Sequence, residues 1–123
     1  MSAFRAAVLE HFRHPRNRGE LASANARADG ANALCGDRVR IELLIDRGRI
    51  VDARFTADGC AVCIASASVA TEWARGRSLD EVSVLDISIV QETLAGAPAP
   101  GRERCLSLPL DTLRRAVAAH TPS

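Results

Sequence analysis

Residues 39–76 read VRIELLIDRGRIVDARFTADGCAVCIASASVATEWARG, and a change of period inside this stretch decides the fold. Val39, Ile41, Leu43 and Ile45 alternate with Arg40, Glu42 and Leu44, the pattern of a half-buried strand. Asp46, Arg47 and Gly48 then make a hairpin turn. A second strand follows, with Val51, Ala53, Phe55 and Ala57 on one face and Asp52, Arg54 and Thr56 on the other. After Gly59 the apolar spacing switches from two to about 3.6 residues. Val62, Ala65, Val69 and Trp73 form the stripe of a helix that ends near Arg75 and Gly76.

Working outward, Phe4, Val8 and Phe12 recur every fourth residue with Leu9 beside them, predicting an amphipathic first helix. It ends near His14, because Pro15 disfavours helical geometry in the residue before it. Residues 21–33 are Ala, Asn, Gly and Asp with weak periodicity, a loop or at best a poor edge strand. Beyond Gly76, Ser78 and Glu81 stand in capping-box spacing and predict a short helix from Leu79. Ile87, Val90 and Leu94 predict another, broken by Gly96 and the cluster of Pro98, Pro100 and Gly101. Ser107 is placed to cap a last helix, with Pro109 in its first turn and Leu110, Leu113, Ala116 and Val117 on the buried side. There is no internal repeat and no long linker. Residues 1–123 therefore read as a single α+β domain, with helices packed against one face of a small antiparallel sheet.

Composition narrows the function. With 123 residues, 47% hydrophobic and 25% charged, the chain supports one core. Its cations are all arginine and nearly cancel the acids, leaving a formal charge of +1, so nothing steers nucleic acid. No apolar run approaches the ~20 residues of a spanning helix, and no membrane role follows. The first ten residues lack the apolar block of an export signal, so the chain reads as mature and cytoplasmic. Four cysteines in that compartment do not read as a disulfide frame.

Three of those cysteines occupy unusual places. Cys35, with Gly36 and Asp37, lies on the loop entering the first hairpin strand; Cys60 follows Gly59 where strand gives way to helix; Cys105 precedes the last helix. Aligned N–H groups at helix starts favour negative charge and hence thiolate, the metal-binding and nucleophilic form. The three are far apart in sequence, so folding rather than a local zinc-finger loop would have to assemble them. Cys63, one helical turn after Cys60, reads as a packing residue in line with Ala67 and Ala70 rather than as a ligand. Ser66 and Ser68 read as close-packing residues. His11 and His14 have a spacing that could share a metal, but Pro15 disrupts the turn joining them, and His120 reads as solvent-facing. Arg38 and Arg40 are either a solvated strand face or counter-charges for an anionic group, and Asp37 is either a ligand or a turn residue pairing Arg38 or Arg104.

The order of the segments HPRNRG (14–19), CGD (35–37), GCAVCIASAS (59–68), TEWARG (71–76) and RERC (102–105) is similar to the U-type iron-sulfur cluster assembly scaffolds, the family of IscU, SufU and the N-terminal domain of NifU. The resemblance runs from about residue 9 to residue 119. It implies a three-stranded sheet beside a helical layer, and so a third strand in the weak 21–33 region. It also implies that Cys35, Asp37, Cys60 and Cys105 bind a transient 2Fe-2S cluster or zinc. Sulfur would arrive as a persulfide from a cysteine desulfurase, with Cys35 the first candidate acceptor and Cys105 the second. Apo iron-sulfur proteins would be the recipients, and two copies could share a cluster as a homo-oligomer. Whether such a chain is an enzyme stays open at this point: the scaffold reading implies none, and the alternative below carries sulfurtransferase activity.

The departures from the family pattern define an alternative. Arg104 stands where the IscU branch has a histidine able to ligate, and arginine, always protonated, is no ordinary metal ligand. That points to the SufU-like branch, whose members bind zinc and relay sulfur as sulfurtransferase partners of the desulfurase. Yet the stretch between Cys60 and Cys105 is too short for that branch's insertion. The tract Pro98-Ala99-Pro100-Gly101-Arg102 only partly matches the chaperone-recognition element of IscU.

Overall fold

A computed structural model describes residues 2–34 and 36–120. The elements run α1 (Ala3–Arg13), β1 (Ala26–Asn32), β2 (Asp37–Asp46), β3 (Arg49–Asp58), α2 (Ala61–Ala74), α3 (Leu79–Ser83), α4 (Ile87–Thr93) and α5 (Glu103–Ala119). The strands form one antiparallel sheet in the order β1-β2-β3. The hairpin turns on Arg47 and Gly48, both at positive φ (53° and 74°), as a tight two-residue turn requires.

One face of the sheet carries the core. Val39, Ile41, Leu43, Ile45, Ala53 and Phe55 point inward and are buried under α2 and α5, while α1 packs on the far side of α2. The opposite face holds cross-strand charges: Arg40 donates to Asp29 at 2.8 Å, and Arg27 to Glu42 at 2.8 Å. Glu42 is nevertheless buried, since the segment before β1 lies over it and the Leu21 N–H donates to it.

β1 occupies the region read as a loop or poor edge strand. Its inward positions are Ala26, Ala28, Gly30 and Asn32, so the alternation exists but is written in small residues. They are small because α5 lies directly on them; a Cβ at Gly30 would run into Thr112 Oγ1.

β3 departs from its predicted face at one end. The β2–β3 register shifts between Leu44 and Ile45, an irregularity that turns Ile50 inward, fully buried, and leaves Val51 52% exposed. In α1 the buried positions are Val8 and His11, with Phe4 against the core, whereas Phe12 is 40% exposed. In α2 the predicted stripe gives way to burial on nearly every side, and Val62 and Trp73 are its less buried members. Small side chains make that possible. Ser66 donates to the Leu106 carbonyl of α5 at 2.6 Å, and Ser68 receives the Arg16 N–H and meets His11 Nδ1 at 2.8 Å.

The capping box at α3 is complete: the Ser78 hydroxyl accepts from the Glu81 N–H while the Glu81 carboxylate accepts from the Ser78 N–H. α5 begins earlier than predicted. Arg102 is its N-cap and Glu103 its first residue, with the Glu103 carboxylate accepting the Gly101 N–H, so Ser107 is not a cap. Pro109 lies inside the helix and removes one rung of its hydrogen-bond ladder. Cys105 consequently stands within the first turn of α5 instead of ahead of it.

Beside β3 two segments close its outer edge. Asn17 O accepts the Phe55 N–H and the Gly19 N–H donates to Phe55 O; further along, the Ile50 N–H donates to Arg77 O and the Gly76 N–H to Ile50 O.

Candidate metal and cluster site

Three elements end at one place. β2 begins with Asp37, α2 begins after its N-cap Cys60, and α5 carries Cys105 in its first turn. The ligand atoms of these three residues all lie within 4.8 Å of one another. The N-terminal ends of α2 and α5 therefore converge there, and the partial positive charge of their N–H groups favours anionic ligands.

Burial is graded across the three. Asp37 is 1% exposed, Cys105 is fully buried and Cys60 is half-buried; Asp37 and Cys60 line a cleft, and Cys105 is not on its surface. The cleft, about 500 Å³, is lined by Leu34, Gly36, Asp37, Asp58, Gly59, Cys60 and Arg102.

Asp37 uses its two oxygens unequally. Oδ1 accepts the Cys60 N–H at 3.0 Å; Oδ2 is buried with no hydrogen-bond partner. A buried polar atom in that condition costs about 1–3 kcal/mol, which a bound cation would offset. A soft sulfur pair with one unpartnered carboxylate oxygen fits zinc or an iron-sulfide cluster by donor chemistry. Asp37 forms no ion pair among the described residues, so the turn-residue pairing with Arg38 or Arg104 is not what holds it.

Cys35 lies outside the described residues. Its neighbours in sequence, Leu34 and Gly36, line the cleft, and Leu34 is 90% exposed at the rim. Cys63 is fully buried and is not part of the three-residue group. Its thiol is pushed up to about 12, first by burial and then by the negative charges of Asp37 and Cys60, so it stays protonated. Arg40 is committed to Asp29 on the opposite face of the sheet, and Arg104 is exposed. His11 is buried against Ser68 and has no part in the group; burial, then the Arg16 guanidinium, lower its proton affinity.

Arg102, like Leu34 and Asp58, lines the cleft without having been assigned to the site from the sequence; it falls in the Pro-Gly tract. With α5 starting at Glu103, it stands one helical turn ahead of Cys105, and that spacing is the signal that could have found it.

Two thiols and a carboxylate gathered at the meeting of two helix starts and a sheet end, on an α+β frame, are a donor set that could hold a metal ion. The chain belongs to the NifU-like N terminal domain family, which it matches over residues 3–122. It is 35% identical over 121 residues to the iron-sulfur cluster assembly scaffold protein IscU of Escherichia coli (strain K12), covering 94% of this chain and 92% of that one. It is 40% identical over 110 residues to the bifunctional protein NifU/MnmA of Rubrobacter xylanophilus, covering 89% of this chain but only 22% of that protein's length. Among solved structures it is similar to the putative iron-sulfur cluster assembly scaffold protein for the SUF system from Fervidobacterium islandicum AW-1, with a TM-score of 0.77, 25% identity and coverage of 95% and 96%. The three-stranded sheet and one-sided helical layer are as expected from the sequence. No helix among the described residues is long and apolar enough to cross a membrane.

Proposed function

We propose that this chain is a scaffold on which iron-sulfur clusters, of the 2Fe-2S type, are assembled and from which they are handed to apo iron-sulfur proteins. One observation carries the reading: Asp37, Cys60 and Cys105 meet within 4.8 Å, and the acid keeps a buried oxygen with no hydrogen-bond partner. Cys35 completes the ligand set. Soft thiolates hold iron and sulfide well, whereas an aspartate oxygen is a harder and weaker partner. The fourth bond is the one that opens on transfer. Residues 1–123 act as one domain, in the cytoplasm, where thiols stay reduced.

Sulfur is delivered by a cysteine desulfurase. A scaffold thiolate attacks the outer sulfur of the partner's persulfide, the partner's S–S bond breaks, and the partner leaves as a thiolate. Cys35 is the first acceptor in this scheme. Cys105, fully buried, is the second.

A second reading, a zinc-bound sulfur acceptor acting as a sulfurtransferase partner of the desulfurase, is favoured by Arg104, which is exposed and cannot ligate. Anaerobic purification with metal and sulfide analysis, then incubation with a desulfurase, cysteine and ferrous iron, separates the two. Visible absorption from a bridged iron cluster supports the scaffold. Tightly held zinc, faster desulfurase turnover and no cluster support the sulfur acceptor. Within the scaffold reading, Asp37→Cys should slow handover of the cluster to an apo-ferredoxin; equal transfer rates would refute the role of the weak bond.

A further inference from the structure

We propose that Gly59 is a positioning residue for Asp37: the side chain it lacks is the slot that divides the work of the two carboxylate oxygens. Glycines that supply unusual backbone conformations in this chain, Gly36 and Gly48 among them, stand at positive φ; Gly59 does not. Any residue could adopt its backbone. What glycine gives at position 59 is room, since a Cβ there would stand 2.5 Å from Asp37 Oδ1, 3.0 Å from Cγ and 3.2 Å from Cβ.

The carboxylate has few other places to go. It is 1% exposed, and its Oδ1 is fixed by the Cys60 N–H at 3.0 Å, the residue immediately after the glycine. The slot therefore keeps Oδ1 on the backbone of the α2 start and leaves Oδ2 as the oxygen with nothing to bond. Asp37 then offers a metal a single oxygen. A one-oxygen bond is simpler to replace than a chelating one, which is what release of cargo requires. The strand–helix junction thus fixes both the Cys60 ligand and the way the acid is presented.

This inference rests on the reading of the site as metal- or cluster-binding, and its test keeps the two apart. Cobalt(II) and zinc, each added alone to the full chain, are the probes. Gly59→Ala should retain the thiolate-to-cobalt charge-transfer band, shift the visible cobalt bands toward those of Asp37→Ala, and weaken zinc about ten-fold in competition with a chromophoric chelator. The double variant Gly59→Ala with Asp37→Ala should bind no worse than Asp37→Ala alone, since the glycine acts only through the acid. Wild-type spectra and affinity in Gly59→Ala, or losses that multiply in the double variant, would overturn the proposal.

Should Gly59→Ala lower the urea midpoint, adding Asp37→Ala must recover at least half of the loss, because the offending carboxylate is gone; no recovery would equally overturn it. A wild-type chain that binds neither metal would count against the proposed function, while the urea comparison still decides on the slot.

Discussion

The entry to α2 and the body of that helix both rely on small residues, for opposite ends. At the start, Gly59 and Cys60 meet the Asp37 carboxylate on the floor of an open cleft, with one carboxylate oxygen left unpartnered. From Cys63 onward, Ala, Ser and Thr side chains are buried on nearly every side, and each hydroxyl is spoken for: Ser66 by Leu106, Ser68 by His11 and Arg16, Thr71 by the Ala67 carbonyl. Residue type does not separate chemistry from packing here. Polar satisfaction does. An acid left with unspent bonding capacity at a core boundary is available to a metal, and a hydroxyl whose bonds are all made within the core is not.

The sharpest way to break this contrast is to delete the two cysteines that lie one turn apart. Cys60→Ala should abolish stoichiometric zinc or cluster binding while changing the urea midpoint little. Cys63→Ala should leave metal content intact and cost roughly 1–2 kcal/mol of stability through the cavity it leaves. Metal analysis and urea titration of both variants check this; equal loss of metal would place Cys63 in the site.

A smaller effect is expected from filling the packed part. Ala67 is fully buried in α2, so Ala67→Leu should overpack the core and cost about 1–3 kcal/mol, with metal affinity unchanged. Urea titration beside zinc competition reads both quantities.

Smaller still is a pH effect where α1 packs against the middle of that helix. His11, held against Ser68, has its proton affinity lowered by burial and by Arg16, with Glu72 and Glu10 opposing. In the window below its ordinary value of 6.5 the unfolded chain takes up a proton that the folded chain resists, so stability falls as pH falls. Urea midpoints measured between pH 7 and pH 5 should decline in the wild type and flatten in His11→Gln.

Much of the frame is legible in the sequence. The hairpin is marked by alternation and by Arg47-Gly48, α3 by Ser78 and Glu81, and α2 by the change of period after Gly59. What escapes has physical causes. β1 alternates in Ala and Gly because α5 presses on it, and period-two alternation without branched residues is nearly silent. Val51 turns outward because of an irregular register at Ile45, which side-chain type alone does not signal. Pro109 imitates a first-turn proline, so the start of α5 reads several residues late.

The site divides in the same way. Cys60, Cys105 and Asp37 stand out by chemical type and neighbouring motif, and folding brings them together. The slot at Gly59 and the place of Arg102 on the cleft depend on distances between segments that no local pattern carries.

The two segments lying along β3 have a consequence for how copies of this chain meet one another. An open strand edge is a template for adding a strand from a neighbouring molecule. Near Ile50 that template is filled by residues 76–77, and near Phe55 by residues 17–19. The edge left for such recruitment is β1, seven residues long, with Arg27 and Asp29 among its outward side chains. A short, charged edge discourages intermolecular strand pairing, so the sheet offers neighbouring copies of the chain a poor template on either side.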